Sequence, residues 1–238
     1  MIYVIVFAHL LGDYLFQWKE LAMWKARSPW GVAAHGGIVT LTTLVCIVLV
    51  APSWWPYALL IGGIHTSIDL ARSRLSAGAD PRRELALYLL DQALHLGSIA
   101  LIVAWGNPPA LVGLTSVGRA LADPRILIYA IGYLLLLNPS WVALRFIVRG
   151  VWGADAAPHL GLGEHHGAMA ERILITTLVL TGQFALLPWV MIPRRLVPYR
   201  VQGMGVGVLV QPQTHWAETL LSVVLALAVG LVLRIVRG

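Results

Sequence analysis

The chain has 238 residues, 58% of them hydrophobic and only 12% charged, against roughly 45–50% and 25% in an ordinary soluble domain. Its mean hydropathy is +0.78, more apolar surface than one core of this size can hide from water. That composition excludes a soluble globular enzyme and a disordered chain, and a disulfide scaffold is excluded because Cys46 is the single cysteine. The net charge of +6 then points to membrane topology and anionic headgroups, not to nucleic acid.

Hydropathy predicts an all-α, polytopic transmembrane helix bundle of about seven spans, with six as the alternative. Each is near the ~20 residues that ~30 Å of hydrocarbon requires. The spans fall near 2–24, 31–51, 56–75, 84–105, 124–148, 172–192 and 216–235. Residues 1–105 then make an N-terminal four-helix core. Residues 106–238 supply further membrane helices, with polar loops at 149–171 and 193–215 and a weak flexible-loop signal at 203–207. The first span carries His9 and Asp13 without a basic n-region, so it reads as a retained helix and not a signal peptide. Ser28-Pro29, Ala51-Pro52, Asp80-Pro81, Asn107-Pro108-Pro109 and Asp123-Pro124 mark the connections. Asn138-Pro139 falls inside the fifth span and predicts a kink there.

Basic residues orient the spans. Lys19, Lys25 and Arg27 follow the first, and Arg72, Arg74, Arg82 and Arg83 lie between the third and fourth. The positive-inside rule places the N-terminus outside the cell inner membrane and the 19–30 and 72–84 loops in the cytoplasm. Arg145, Arg149, Arg234 and Arg237 agree with seven spans, whereas Arg194, Arg195 and Arg200 would lie outside. Tryptophans 18, 24, 30, 54, 55, 105, 152, 189 and 216 sit near span ends and read as an interfacial belt.

Ionisable residues within such helices need a reason, because one Asp at a helix centre costs roughly 2.5–3.5 kcal/mol on insertion scales. Three occur, each with a histidine four residues away: His9 with Asp13, His65 with Asp69, and Asp91 with His95. Residues at i and i+4 share a helix face. Spans one and three read His then Asp toward the cytoplasm, and span four returns reading Asp then His. All three therefore put His deeper and Asp nearer the cytoplasm. At ~1.5 Å per residue, Asp13 lies ~9 Å before Lys19, Asp91 ~12 Å past Arg83, and His35 ~12 Å after Arg27. One converging layer in the cytoplasmic half of the bilayer is the economical reading.

Mixed N and O ligands suit a divalent transition metal, with zinc foremost, and seven candidates allow one metal or two. His9, His65 and His95 are the first choice as ligands, with Asp13, Asp69 or Asp91 as a further ligand and general base. His35, itself a ligand candidate, would stabilise developing negative charge. Gln17 and Gln92 stand beside these groups and can hold a substrate or orient a ligand. A proton pathway, or a hydrogen-bonded network that only locks helix packing, accounts for the same residues. His159 with Glu164, His165 and His166 reads first as an exposed polar loop, with a second metal site as the alternative. Ser67 and Ser98 lie near the layer without a nucleophile turn.

His9-Leu10-Leu11-Gly12-Asp13-Tyr14-Leu15-Phe16-Gln17, His35, the stretch from His65 to Asp69, and Asp91-Gln92-Ala93-Leu94-His95 together resemble a family of bacterial membrane proteins, domain of unknown function 3307. The resemblance covers about 1–105 and, more loosely, Glu171-Arg172 and Thr181-Gly182-Gln183. It implies the polytopic bundle and groups these positions, and it brings no reaction, substrate or partner. Three functions stay open. One is a metal-dependent membrane hydrolase or lipid-modifying enzyme, with lipid as solvent and candidate substrate. The others are a divalent-metal or proton-coupled transporter and a non-catalytic assembly partner.

Overall fold

The computed structural model describes residues 1–113, 115–157, 166–190 and 212–238, with side chains of the last segment from 216. His159, Glu164, His165, Arg194, Arg195, Arg200 and the 203–207 stretch lie outside the described residues. Among the described residues the secondary structure is helical throughout. Three helices among the described residues are long and apolar enough to cross a membrane, or four if one bent pair is a single span. By length and composition the described residues do not confirm the expected seven.

Contacts divide the chain into two compact units, Met1–Ile131 and Gly132–Gly238. The first opens with α1 (Ile2–Leu10), which widens into a π-helical turn at Leu11–Leu15. The expected span 2–24 is thus two elements. The apolar part is only Ile2–Leu15, about 21 Å of helix, and the charged α2 (Lys19–Arg27) follows as a separate helix. Next come α3 (Pro29–Val50), whose Ser28 side chain accepts from the Trp30 N–H, and α4 (Trp55–Leu75). Asp69, Arg72 and Arg74 lower the hydropathy of α4, so it is not among the three apolar spans. In α5 (Pro81–Trp105) the Asp80 carboxylate caps the Arg82 and Arg83 N–H groups. The short α6 (Ser116–Ala122) belongs with this unit, because Val112 N–H donates to Val50 O at 2.7 Å and Gly118 lies against the Leu49 carbonyl.

One interface positions the site. A Cβ on Gly36 would collide with Oγ1 of Thr66, and one on Gly62 with Oγ1 of Thr40. Each threonine hydroxyl is turned back onto the glycine carbonyl of its own helix. Gly36-x-x-x-Thr40 on α3 therefore interlocks with Gly62-x-x-x-Thr66 on α4, the small-residue packing that lets membrane helices approach closely. His35 precedes Gly36 and His65 precedes Thr66, so the same contact brings their rings together. On α3, beside this contact, Gly12 meets the Val39 backbone and seats the π turn. Val4, Ile5, Ala8, Ile47, Val50, Ala58 and Ile99 form the apolar core above this layer. Trp54 belongs to that core and not to the expected belt: it is 4% exposed, stacks on Tyr57 at 4.3 Å and donates Nε1–H to Gly106 O.

Beyond residue 122, α7 (Pro124–Leu135) and α8 (Asn138–Trp152) meet at a 45° break. The kink expected at Asn138-Pro139 lies there, with Pro139 in the first turn of α8 where its missing N–H costs nothing. The expected span 172–192 is instead α9 (His166–Thr181), ended by Gly182 at φ +79°. Gln183 N–H bonds Leu178 O and Gly182 N–H bonds Val179 O, the Schellman closure that glycine permits. The short α10 (Leu187–Val190) and the long α11 (Pro212–Arg237) complete the described helices. Arg145 is not an interfacial orienting charge. It is 2% exposed, 3.6 Å from Glu218 Oε1, and Arg172 is buried likewise, donating to Leu136 O and Ser222 Oγ.

Candidate metal centre

All seven His and Asp residues of the sequence reading converge in the first unit and are 0–8% exposed. They do not converge evenly. Asp13, His35, His65 and Asp69 can each offer one ligand atom so that all four lie within 4.8 Å of one another. His35 Nε2 is 2.9 Å from Asp13 Oδ1, 3.3 Å from His65 Nε2 and 3.5 Å from Asp69 Oδ2. His65 Nε2 is 3.2 Å from Asp69 Oδ2 and 3.9 Å from Asp13 Oδ1. Ligand atoms around a tetrahedral ion at 2.0–2.1 Å stand about 3.3 Å apart. These five edges, 2.9 to 3.9 Å, scatter about that value. The quartet thus has the size of a tetrahedral N₂O₂ shell.

Asp69, Asp91 and His95 form a second group within the same 4.8 Å limit. Asp91 Oδ2 accepts from Gln92 Nε2 at 2.9 Å and faces Arg72 at 3.4 Å. Gln92 Oε1 in turn accepts from the Tyr14 hydroxyl at 2.9 Å, and Tyr14 lies 3.5 Å from the Tyr88 hydroxyl. His9 belongs to neither group. Its Nε2 is 3.9 Å from Asp13 Oδ2, and its ring lies 5.2 Å from that of His95 and 5.4 Å from that of His65. Gln17 is half-buried at the edge, accepting from Lys25 at 3.5 Å. Ser67 and Ser98 bond their own helix carbonyls at Gly63 and His95.

Lys25 is expected from sequence only as a topological charge, and Arg72 as a topological charge that can also hold a phosphate headgroup at the rim. Lys25 Nζ is 2.7 Å from Asp69 Oδ2 and 3.9 Å from Asp13 Oδ1. Its side chain is 17% exposed against 2% for that of Asp69, so the stem reaches inward from α2. A charged residue one short helix away from an apolar span is the signal that could have found it. Another was the pair of small-x-x-x-small motifs, which predicts that α3 and α4 touch at His35 and His65.

A family model described as Protein of unknown function (DUF3307) matches residues 1–119, half of the chain. The chain belongs to that family. No curated protein and no solved structure matches it. The part of this DUF3307 protein that the family model covers contains both ligand groups, Lys25, Arg72, Tyr14 and the interlocked Gly/Thr pairs.

Chemically, the centre offers imidazole and carboxylate ligands within an apolar shell, with hydrogen-bonded partners on Asp91 and a cationic pair on Asp69. Such outer partners fix ligand orientation and tune a bound ion. Without an ion, Asp91 Oδ1 and both His95 nitrogens are buried and lack hydrogen-bond partners, and an ion would take up that oxygen and one of the two ring nitrogens. The likewise unpaired Nδ1 atoms of His35 and His65 are not the nitrogens that face the quartet. Each such buried group costs about 1–3 kcal/mol. The donor set therefore fits a divalent ion.

Proposed function

We propose that this is an integral inner-membrane protein whose N-terminal unit binds a divalent transition metal, zinc foremost, and acts as a metal-dependent hydrolase or lipid-modifying enzyme. The observation that carries the reading is the quartet Asp13, His35, His65 and Asp69 with its ligand atoms within 4.8 Å. A bound divalent ion would offset the buried carboxylate charge, and an ion with an open coordination position would supply a water of lowered pKa as the nucleophile. Asp91, outside the quartet, is left to act as general base or as a further ligand.

Access from the headgroup region is supported by α2. It carries Lys19, Glu20, Lys25 and Arg27, and exposes Met23 and Trp24, with Trp18 and Trp30 exposed at its flanks. Indole and thioether thus share the outer face of α2 with Lys19, Glu20 and Arg27, a mixture of aromatic and charged side chains suited to the membrane–water interface. Lys25 links this helix to Asp69, so the centre sits directly beneath it. With the 19–30 segment on the cytoplasmic side, a cytoplasmic-leaflet lipid headgroup is the substrate class.

The test is lipid turnover. The purified full chain is reconstituted into vesicles of mixed bacterial phospholipids, with and without added Zn²⁺ or Mn²⁺, and the lipids are followed by mass spectrometry. A cleaved or altered headgroup is expected with metal and absent in Asp69→Asn. Unchanged lipids over protein that holds stoichiometric metal would overturn the enzymatic reading.

Cation or proton transport is the second reading, and the Lys25–Asp69 pair favours it: an ammonium 2.7 Å from a ligand carboxylate can exchange with an arriving cation. Metal flux into the same vesicles would decide for it.

A further inference from the structure

Four protein ligands close the coordination of a tetrahedral ion, as in structural zinc sites, whereas catalytic sites keep one position open. The Asp13–His35–His65–Asp69 quartet is therefore poorly suited, alone, to holding a reactive water. The neighbouring group differs. Asp69, Asp91 and His95 give three ligands, and Asp69 belongs to both groups.

His95 is 2% exposed, and neither of its ring nitrogens has a hydrogen-bond partner. Its nearest carboxylate oxygen, Asp91 Oδ2, is 3.7 Å away, beyond hydrogen-bond reach. Asp91 is split in use. Oδ2 is held by Gln92 and faces Arg72, while Oδ1 is buried without a partner. One oxygen anchored and the other bare is the arrangement of a ligating carboxylate oriented by its neighbours. The His95 ring lies 4.3 Å from the His65 ring, so the second group adjoins the quartet.

We propose that the centre is dinuclear: a second divalent ion binds Asp69, Asp91 and His95, Asp69 bridges the two ions, and the open coordination is on this second ion. The inference rests on the metal reading above and locates the reacting position within it. Its electrostatics also select a ligand class. Three aspartates oppose Lys25, Arg72 and two divalent ions, that is −3 against +6, and the surplus suits a phosphate group. Two ions about 3.5–4 Å apart clamp both the attacking and leaving oxygens in phosphoester hydrolysis.

The full chain, stripped with chelator in detergent and reloaded with Mn²⁺, distinguishes the cases by metal count and electron paramagnetic resonance. Two ions per chain with an exchange-coupled spectrum are expected. His95→Gln and Asp91→Asn, checked as monodisperse by gel filtration, then retain one ion with an uncoupled six-line spectrum, and Asp69→Asn loses the coupling. One uncoupled ion per chain, unchanged by His95→Gln and removed by His65→Ala, overturns the second site and leaves the first standing. No bound ion in the wild type overturns both.

Discussion

The Lys25 ammonium lies 2.7 Å from Asp69 Oδ2, joining the charged helix α2 to the carboxylate that both ligand groups share. In the metal-free protein this pair compensates Asp69. Breaking a buried pair by removing one partner costs about 3–5 kcal/mol, and the partial exposure of Lys25 puts its loss near the lower end. Lys25→Met is therefore expected to lower the melting temperature strongly in chelator, by roughly 3 kcal/mol of stability. Saturating Zn²⁺ should recover most of the loss, because the ion takes over the compensation. Thermal unfolding in detergent with and without metal checks both halves. Equal melting temperatures for wild type and variant in chelator would contradict the role given to this pair.

The interlock of α3 and α4 makes a steric prediction with its own control. Gly36→Ala would drive a methyl into Thr66 Oγ1, an overpacking that costs about 1–3 kcal/mol, and it would part His35 from His65. Both stability and metal affinity should fall. Gly37→Ala, where a Cβ meets nothing within 4 Å, should leave both unchanged. Isothermal titration with Zn²⁺ beside a melting curve separates the two variants.

A buried guanidinium anchors the C-terminal unit. Arg172 donates from Nε to Leu136 O at 2.8 Å and from a terminal nitrogen to Ser222 Oγ at 3.3 Å. Arg172→Met removes both donations. Leu136 O keeps the Ser140 hydroxyl at 2.9 Å, so the cost is that of about one buried group left unpaired, about 1–3 kcal/mol. Arg172→Lys should rescue little, because an ammonium lacks the planar fork that spans two acceptors. Limited proteolysis should cut both variants faster within 166–238. Metal content should be unchanged, since among the described residues the two ligand groups come from the first unit alone.

The sequence made the layer legible and hid its partition. His and Asp four residues apart in apolar helices announce themselves, because such groups are costly in lipid. Which imidazoles share an ion depends on how helices cross, and here the crossing is set by Gly36, Thr40, Gly62 and Thr66. That contact puts His35 among the quartet and leaves His9 outside it. Lys25 was hidden because the first span was read through to residue 24, which made it a loop charge. The π turn at Leu11–Leu15 ends the helix earlier and frees α2 to fold Lys25 back. Arg145 looks like an interfacial arginine in sequence, and Arg172 opens an expected span. Their burial follows from Glu218 and Ser222 on α11, whose pairing with them no local pattern reveals.

The central claim is that Asp13, His35, His65 and Asp69 enclose a divalent ion. Metal content of the purified full chain by plasma emission spectroscopy, wild type beside His65→Ala and Gly37→Ala, tests it most directly. Stoichiometric transition metal in the wild type and Gly37→Ala, and its loss from correctly folded His65→Ala, is the predicted result. A wild type that carries no transition metal after reloading, or a His65→Ala variant that retains the full wild-type content, would contradict it.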